Sequence, residues 1–201
     1  LIRADLHVHT IYSNDSTLTP KALVEKLAVH NSIKVAAITD HNTVRGLNET
    51  RKLAEAYSDI LIIPGVEIST IEGDLLVLGA KEIPPEPWIL KNVLDFARDN
   101  NFVSVVAHPY RKYGMGDLAR TYKFDAIEIL NGESSPTENR LAKKLAKSMK
   151  LPGVAGSDAH NLFEALSVYT KIQASLNIEE ILMAIEKGWV TAHLAARSIH
   201  F

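Results

Sequence analysis

The chain has 201 residues, 46% of them hydrophobic and 23% charged, with a formal net charge of −2 and no cysteine. This is the composition of one ordinary globular unit with a sizeable core, and 1–201 is expected to fold as a single domain. It excludes disulfides and thiolate metal sites, and the lack of any basic block excludes strong duplex nucleic-acid binding, which needs clustered Lys and Arg.

No apolar run approaches the roughly 18 residues of a membrane span, so no membrane contact and a cytoplasmic setting are expected. The opening residues read as a strand and not as a leader segment. In chain order, the predicted strands are Ile2–His7, Val35–Thr39, Ile60–Ile63, Leu75–Leu78, Val103–Ala107, Ala126–Leu130, Val154–Ala155 and Ser167–Ile172. Each is short and almost wholly apolar, as strands covered on both faces are. Between them lie amphipathic helical patterns at Pro20–His30, Thr43–Tyr57, Pro87–Asn100, Pro136–Lys150 and Ile178–Lys187. Thr19 and Asn177 are N-cap candidates, Pro20 suits a first helical position and Gly188 a stop. The β-then-α order predicts an α/β fold on a parallel sheet, open or closed into a barrel. A hairpin-like turn at Glu72-Gly73 marks a local irregularity.

Active sites of parallel α/β folds sit at the C-terminal ends of strands. The polar residues at those ends are His7 and His9, Asp40 and His41, Glu67, His108, Glu128 and Asn131, then Asp158 and His160. His7 and His9 lie two apart on an extended segment, so both point to one side and can reach one ion. Alone, the pair could equally be two polar residues ending a strand. Asp158-Ala-His160 repeats the spacing after Gly156-Ser157. Asp40-His41 ends the apolar run Val-Ala-Ala-Ile-Thr, where burial without partners would cost several kcal/mol. With no cysteine, any ion must be held by imidazole and carboxylate.

These segments resemble the PHP (polymerase and histidinol phosphatase) family in order and spacing. They are DLHVHT at 5–10, Asp15 before Leu18-Thr-Pro20, ITDHN at 38–42, PGVEIS at 64–69, AHP at 107–109 and GSDAH at 156–160. The resemblance implies a distorted (β/α)7 barrel, similar to a TIM barrel, with two to three divalent ions (Mn, Zn, Fe or Mg). It implies His7, His9, Glu67 and Asp158 around a first ion, with Glu67 bridging to a second that also takes His108. Asp15, His41 and His160 fall to a third. Many relatives carry His where this chain has Asp74, and a carboxylate there favours Mn, Mg or Fe over Zn. Asp15 likewise stands where some members have His.

The implied activity is hydrolysis of phosphate esters on a small molecule, nucleotide or short oligonucleotide. Closely spaced ions suit it because they hold the anionic phosphorus centre and make a nucleophile available near neutral pH. Arg111, just after His108-Pro-Tyr, is the candidate for a charge-assisted phosphate contact in binding and catalysis, with Lys112 behind it. Asp40 is a candidate supporting or proton-carrying group. Asn131 either lines the pocket or orients a ligand, or else shapes a turn with Gly132, and loop 109–121 and loop 131–137 are the expected walls of an open pocket.

Other polar residues read as ordinary. His30 sits near a helix C-terminus, where it complements carbonyls. His193 and His200 read as surface residues, Trp88 and Trp189 as core or interface, and Lys143, Lys144 and Lys147 as a solvated helix face. Two other functions compete. Amidohydrolase-like C–N hydrolysis also uses strand-end His pairs, but with a metal-ligating Lys that has no counterpart at a strand end here. A non-catalytic module supporting a nucleic-acid-processing partner would be expected to have lost ligands.

Overall fold

In the computed structural model, which describes residues 1–195, the strands form two five-stranded sheets. The reading of His200 lies outside the described residues. The strands are β1 (Ile2–Val8), β2 (Val35–Ile38), β3 (Leu61–Ile63), β4 (Gly65–Ser69), β5 (Asp74–Leu78), β6 (Val103–Val106), β7 (Ala126–Asn131), β8 (Gly153–Gly156), β9 (Val168–Ile172) and β10 (Val190–Leu194). One sheet runs β10-β9-β1-β2-β3, the other β4-β5-β6-β7-β8. The helices are α1 (Pro20–Val29), α2 (Arg45–Ala54), α3 (Leu90–Asp99), α4 (Pro136–Met149) and α5 (Ile178–Glu186), with a 3-10 helix at Gly116–Thr121.

The eight expected strands and five expected helices are present, with ends moved by a few residues. Two further strands, β4 and β10, were not expected. Strand direction also departs from an all-parallel sheet. β1, β2 and β3 are mutually parallel, as are β6, β7 and β8, but β9 runs antiparallel to β1 and β10, and β5 antiparallel to β4 and β6. The turn at 70–73 is the tip of the β4–β5 hairpin, closed by Thr70 Oγ1 donating to the carbonyl of Gly73.

No closed barrel forms among the described residues. The two sheets meet instead at two single bridges, Val8 with Ala159 and His41 with Glu67. One core cluster is nevertheless common to both sheets, with Ala4, Leu6 and Val35 packed with Leu76, Val105 and Val154 and sealed by Ile181 and Ile185 of α5.

Local chemistry explains the helix ends. Thr19 accepts from the Ala22 amide and Asn177 from the Glu180 amide, as N-caps do. Ser135 and Glu138 form a capping box at α4. The third helix begins later than expected, at Leu90, because the Glu72 carboxylate reaches from the hairpin tip to accept the Leu90 amide at 2.9 Å. His30 departs from expectation. α1 stops at Val29 and the chain turns back, so His30 Nδ1 accepts from the amides of Ser32 and Ile33 and, among the described residues, its ring caps no carbonyl. Burial and the neighbouring Lys26 and Lys34 push its pKa down, consistent with an acceptor ring. His193 is on β10 with its ring stacked on Tyr169, Trp88 packs half-buried beside α3, and Trp189 is about half exposed.

Candidate metal centre

The bridges between the sheets are also what gather the polar strand ends. Beyond β1, the amide of Asp158 donates to the carbonyl of His7, and the amide of His9 to that of Ala159. These bonds set Asp158 beside both histidines. At the other seam the amide of Glu67 donates to the carbonyl of Asp40, and that of Asn42 to Glu67, which brings His41 to the bridging acid. Asp74 begins a strand, but β5 is antiparallel to β6, so its start lies at the same end of the sheet as His108. His108 and Asp158 both have positive φ, +24° and +55°. Such conformations cost energy for non-glycine residues and cluster at functional sites.

Three overlapping groups of donors result: His7, His9, Glu67 and Asp158; Glu67, Asp74 and His108; and His9, His41 and His160. In the first, His9 Nε2 lies 3.1 Å from Glu67 Oε2 and 3.1 Å from Asp158 Oδ1, and His7 Nε2 lies 3.2 and 3.3 Å from the same atoms. In the second, His108 Nε2 lies 3.0 Å from Glu67 Oε1 and 3.9 Å from Asp74 Oδ2. Asp15 joins the third from the solvent side, its Oδ2 3.5 Å from His41 Nε2 and 3.4 Å from His160 Nε2. Every metal ligand named from the sequence is therefore in one cluster.

The donor chemistry fits cations. His7 Nδ1 is 3.0 Å from Glu128 Oε1, an acceptor that fixes the proton on Nδ1 and turns a lone pair inward at Nε2. Nε2 of His7 and Nε2 of His9 then face one another at 3.0 Å, an arrangement two lone pairs tolerate only with a cation or proton between them. Buried His41 Nδ1 lies 3.1 Å from Glu67 Oε2 without hydrogen-bond geometry, and among the described residues it has no hydrogen-bond partner. Burial opposes charge throughout the cluster. Even so, His7 and the other imidazoles hold Glu67 and Asp158 well below the usual carboxylate range. Against the same burial, the carboxylates raise His7 and His108 and lift His9 to about 9. His41 moves down, chiefly through burial. Burial, then the charge of Glu67, pushes Asp74 up to about 6.

Asp40 and Asn131 lie behind the donor cluster, in supporting positions. Asp40 is fully buried. It accepts from the Thr10 amide at 2.6 Å, Thr10 Oγ1 at 2.8 Å and Ser13 Oγ at 2.9 Å, and Ser13 Oγ in turn is 3.1 Å from His9 Nδ1. Placed there, it has no path to a substrate. Asn131 does not line the cleft above the cluster. Its side-chain amide donates to Glu128 and Asp158, and its carbonyl oxygen accepts from Arg111 and the Glu133 amide. Arg111 and Lys112 do line that cleft, which has a volume of about 590 Å³, and Arg111 Nη1 donates to Asp158 Oδ2.

Glu128, Thr10 and Ser13 are the supporting residues not assigned from the sequence. Glu128 left a signal there: an acid inside the apolar run Ile-Glu-Ile must find a buried donor. Thr10 and Ser13 left none, because hydroxyls near a strand end are common in any loop.

The chain belongs to the PHP family. The PHP domain model matches residues 5–123, and a PHP-associated model matches 136–190. Two uncharacterized proteins of Methanocaldococcus jannaschii are similar: one is 32% identical over 142 residues (65% of this chain, 82% of that one), the other 31% over 189 residues (89% and 73%). A 5'-3' exoribonuclease, Rnm of Escherichia coli, is 44% identical over 68 residues only, 33% of this chain and 22% of its own length. Among solved structures, PsfC from Pseudomonas syringae aligns with a TM-score of 0.72 at 18% identity, over 98% of this chain and 93% of its own. A protein of Bifidobacterium adolescentis proposed to be a metal-dependent phosphoesterase aligns at 0.62 and 17%, over 78% and 87%. At such identities the two structures share the fold. Among the described residues no helix is long and apolar enough to cross a membrane.

Proposed function

We propose that this protein is a metal-dependent phosphoric ester hydrolase acting on a phosphorylated small molecule, a nucleotide or a short oligonucleotide. The observation that carries this reading is the convergence of three donor groups on Glu67, His9 and their neighbours, beneath a cleft that also presents Arg111. His7, His9, Glu67 and Asp158 would hold one ion, Glu67, Asp74 and His108 a second, and Asp15, His41 and His160 a third, drawn from Mn, Zn, Fe or Mg. Such ions, when bound, polarise phosphoryl oxygens and make water nucleophilic at neutral pH.

The chain's own residues supply the rest. Glu128 keeps the His7 proton on Nδ1, and Asp40 acts through Ser13 to orient His9. Both are positioning residues. Asn131 holds Arg111 and Asp158 in register. Arg111 spends only Nη1 on protein partners among the described residues, which leaves guanidinium N–H groups for phosphate oxygens. Lys112 adds a mobile charge at the rim. We read the two bridged sheets as the halves of a distorted (β/α)7 barrel, and 1–201 as one unit, because the core cluster spans both sheets. The segment shared with the exoribonuclease keeps short oligonucleotides in the substrate range. C–N hydrolysis is disfavoured because the sequence carries no lysine at the strand ends that bear His7, His9, His41, His108, Asp158 and His160.

The test is to purify the protein without added metal, count bound ions by elemental mass spectrometry, and assay a phosphomonoester beside a phosphodiester with Mn, Zn, Mg or Fe restored. Two to three ions per chain with metal-dependent hydrolysis is the expected result. Ions without hydrolysis of either ester would remove the phosphoesterase reading, and no ions at all would favour a non-catalytic module.

A further inference from the structure

The floor of the cleft is polar, and its mouth carries large hydrophobic side chains among polar ones. Two large hydrophobic side chains stand exposed on the two loops that wall it: Ile71, 82% exposed at the tip of the β4–β5 hairpin, and Tyr113, 68% exposed on the loop after β6. Exposed apolar surface grouped around a polar pocket marks a contact for the apolar part of a ligand. The Tyr113 backbone is at φ +68°, a conformation unfavourable for an aromatic residue. The surrounding contacts hold it there. The Asp74 amide donates to the Tyr113 carbonyl at 2.9 Å, the Gly114 amide to Arg111 at 2.9 Å and the Gly116 amide to Pro109 at 2.7 Å. Gly73 lies so close to Met115 that a Cβ would meet its amide nitrogen at 2.7 Å. The backbone that carries the ring is thus held relative to Asp74 and Arg111, and the ring itself has the Lys112 ammonium 4.8 Å from its centroid.

We infer that Tyr113 is a stacking platform that selects phosphate esters carrying a nucleobase, with Ile71 on the adjoining hairpin tip and Lys112 beside the platform. This rests on the phosphoesterase reading and narrows it to nucleotides and short single-stranded oligonucleotides. A planar base offers a π-face to Tyr113 whatever its identity, so the selection is for a base and not for a sequence. The anionic end of the same molecule would then lie toward Arg111 and the donor cluster.

The metal-loaded protein should be compared on adenosine 5'-monophosphate and ribose 5-phosphate, in which an anomeric hydroxyl stands in place of the base. A dinucleotide and its abasic counterpart serve the same purpose for a diesterase. Wild type should prefer the base-bearing member by about tenfold or more in kcat/KM, through KM. Y113A should bring the two to similar kcat/KM, and Y113F should restore the difference. A preference that survives in Y113A, or is missing from wild type, overturns the platform. Calorimetric binding of the same pairs reads the platform without turnover: base-dependent binding lost in Y113A supports it even where hydrolysis fails, and base-independent binding removes it.

Discussion

Nε2 of His7 and Nε2 of His9 point at each other across 3.0 Å, each ring anchored from behind, one by Glu128 and the other by Ser13. Without a cation, protons are what make this contact tolerable. The carboxylates of Asp158 and Glu67 outweigh burial and raise His9 from its ordinary 6.5 to about 9.

Metal uptake should therefore release protons. A raised imidazole pKa means that the protonated form contributes fully to the metal-free protein below about pH 6.5 and is lost as pH rises through about 9. An ion needs the neutral ring, so metal affinity should climb with pH across that window. Calorimetry in buffers of different ionisation enthalpy should give different apparent heats. Equal heats, with affinity flat from pH 6.5 to 9, would mean that the imidazoles are not ligands.

Asp40 makes the same argument one layer out. D40N keeps the shape, with the amide oxygen able to stand at Oδ1 and the NH2 turned to Thr10 Oγ1, but a neutral acceptor replaces a charged one. Ser13 is then held less firmly, and so is His9, which Ser13 anchors. Metal affinity should fall about 10- to 100-fold, as for other outer partners of ligating histidines, with little change in melting temperature of the metal-free protein. Unchanged affinity would separate Asp40 from the site.

Much of the site was legible because polar residues interrupt apolar strand ends. Asp40-His41 after Val-Ala-Ala-Ile-Thr and His108 after Val-Val-Ala can be placed from burial costs alone. Strand direction was not legible, since hydrophobicity reports cover on both faces but not which way a strand runs. β4 escaped because Gly65 and Ser69 bracket only three residues, and Glu67 interrupts them. Val190–Leu194 escaped because this edge strand is only partly covered. Asp40 and Asn131 were located correctly at strand ends, yet their orientation depends on Ser13, Thr10 and Arg111, which come together only in three dimensions.

Asp74 should control the second ion and its identity. Burial and Glu67 raise its carboxyl to about 6, so in the metal-free protein it takes a proton as pH falls through 6, and occupancy of this position should fall with it. D74A should lower the ion count by about one per chain, as three donors become two. D74H should shift preference from Mn or Mg toward Zn, because imidazole is the softer ligand. Elemental analysis after equilibration with mixed metals would show both effects. An unchanged count in D74A would place the second ion elsewhere.

Gly156 tests the packing behind His7. A Cβ there would collide with the His7 side chain and come within 2.7 Å of Glu128 Oε1. Neither neighbour can retreat, since both are buried and bonded to each other. G156A should cost about 1–3 kcal/mol by overpacking, a melting temperature lower by roughly 2–10 °C, and should weaken metal binding in parallel. Thermal unfolding with and without metal would check it. A stable variant with normal loading would show that the His7–Glu128 pair has room to move.

Arg111 sits where ligand and substrate compete for one guanidinium. Its Nη1 donates to Asp158 Oδ2 and to Asn131 Oδ1, so removing it frees an oxygen of a proposed metal ligand while deleting the proposed phosphate contact. The two effects have opposite signs. R111A should bind metal as tightly as wild type or more tightly, because a competing cation has gone. It should lose about 10- to 100-fold in kcat/KM, the scale of one charge-assisted contact to phosphate. R111K should recover only part of that loss, since an ammonium keeps the charge but not the fork that serves Asn131, Asp158 and a phosphate together. Metal titration beside steady-state kinetics on both variants separates the roles. Weaker metal binding in R111A with proportionate loss of turnover would make Arg111 a support for Asp158 and not a substrate contact.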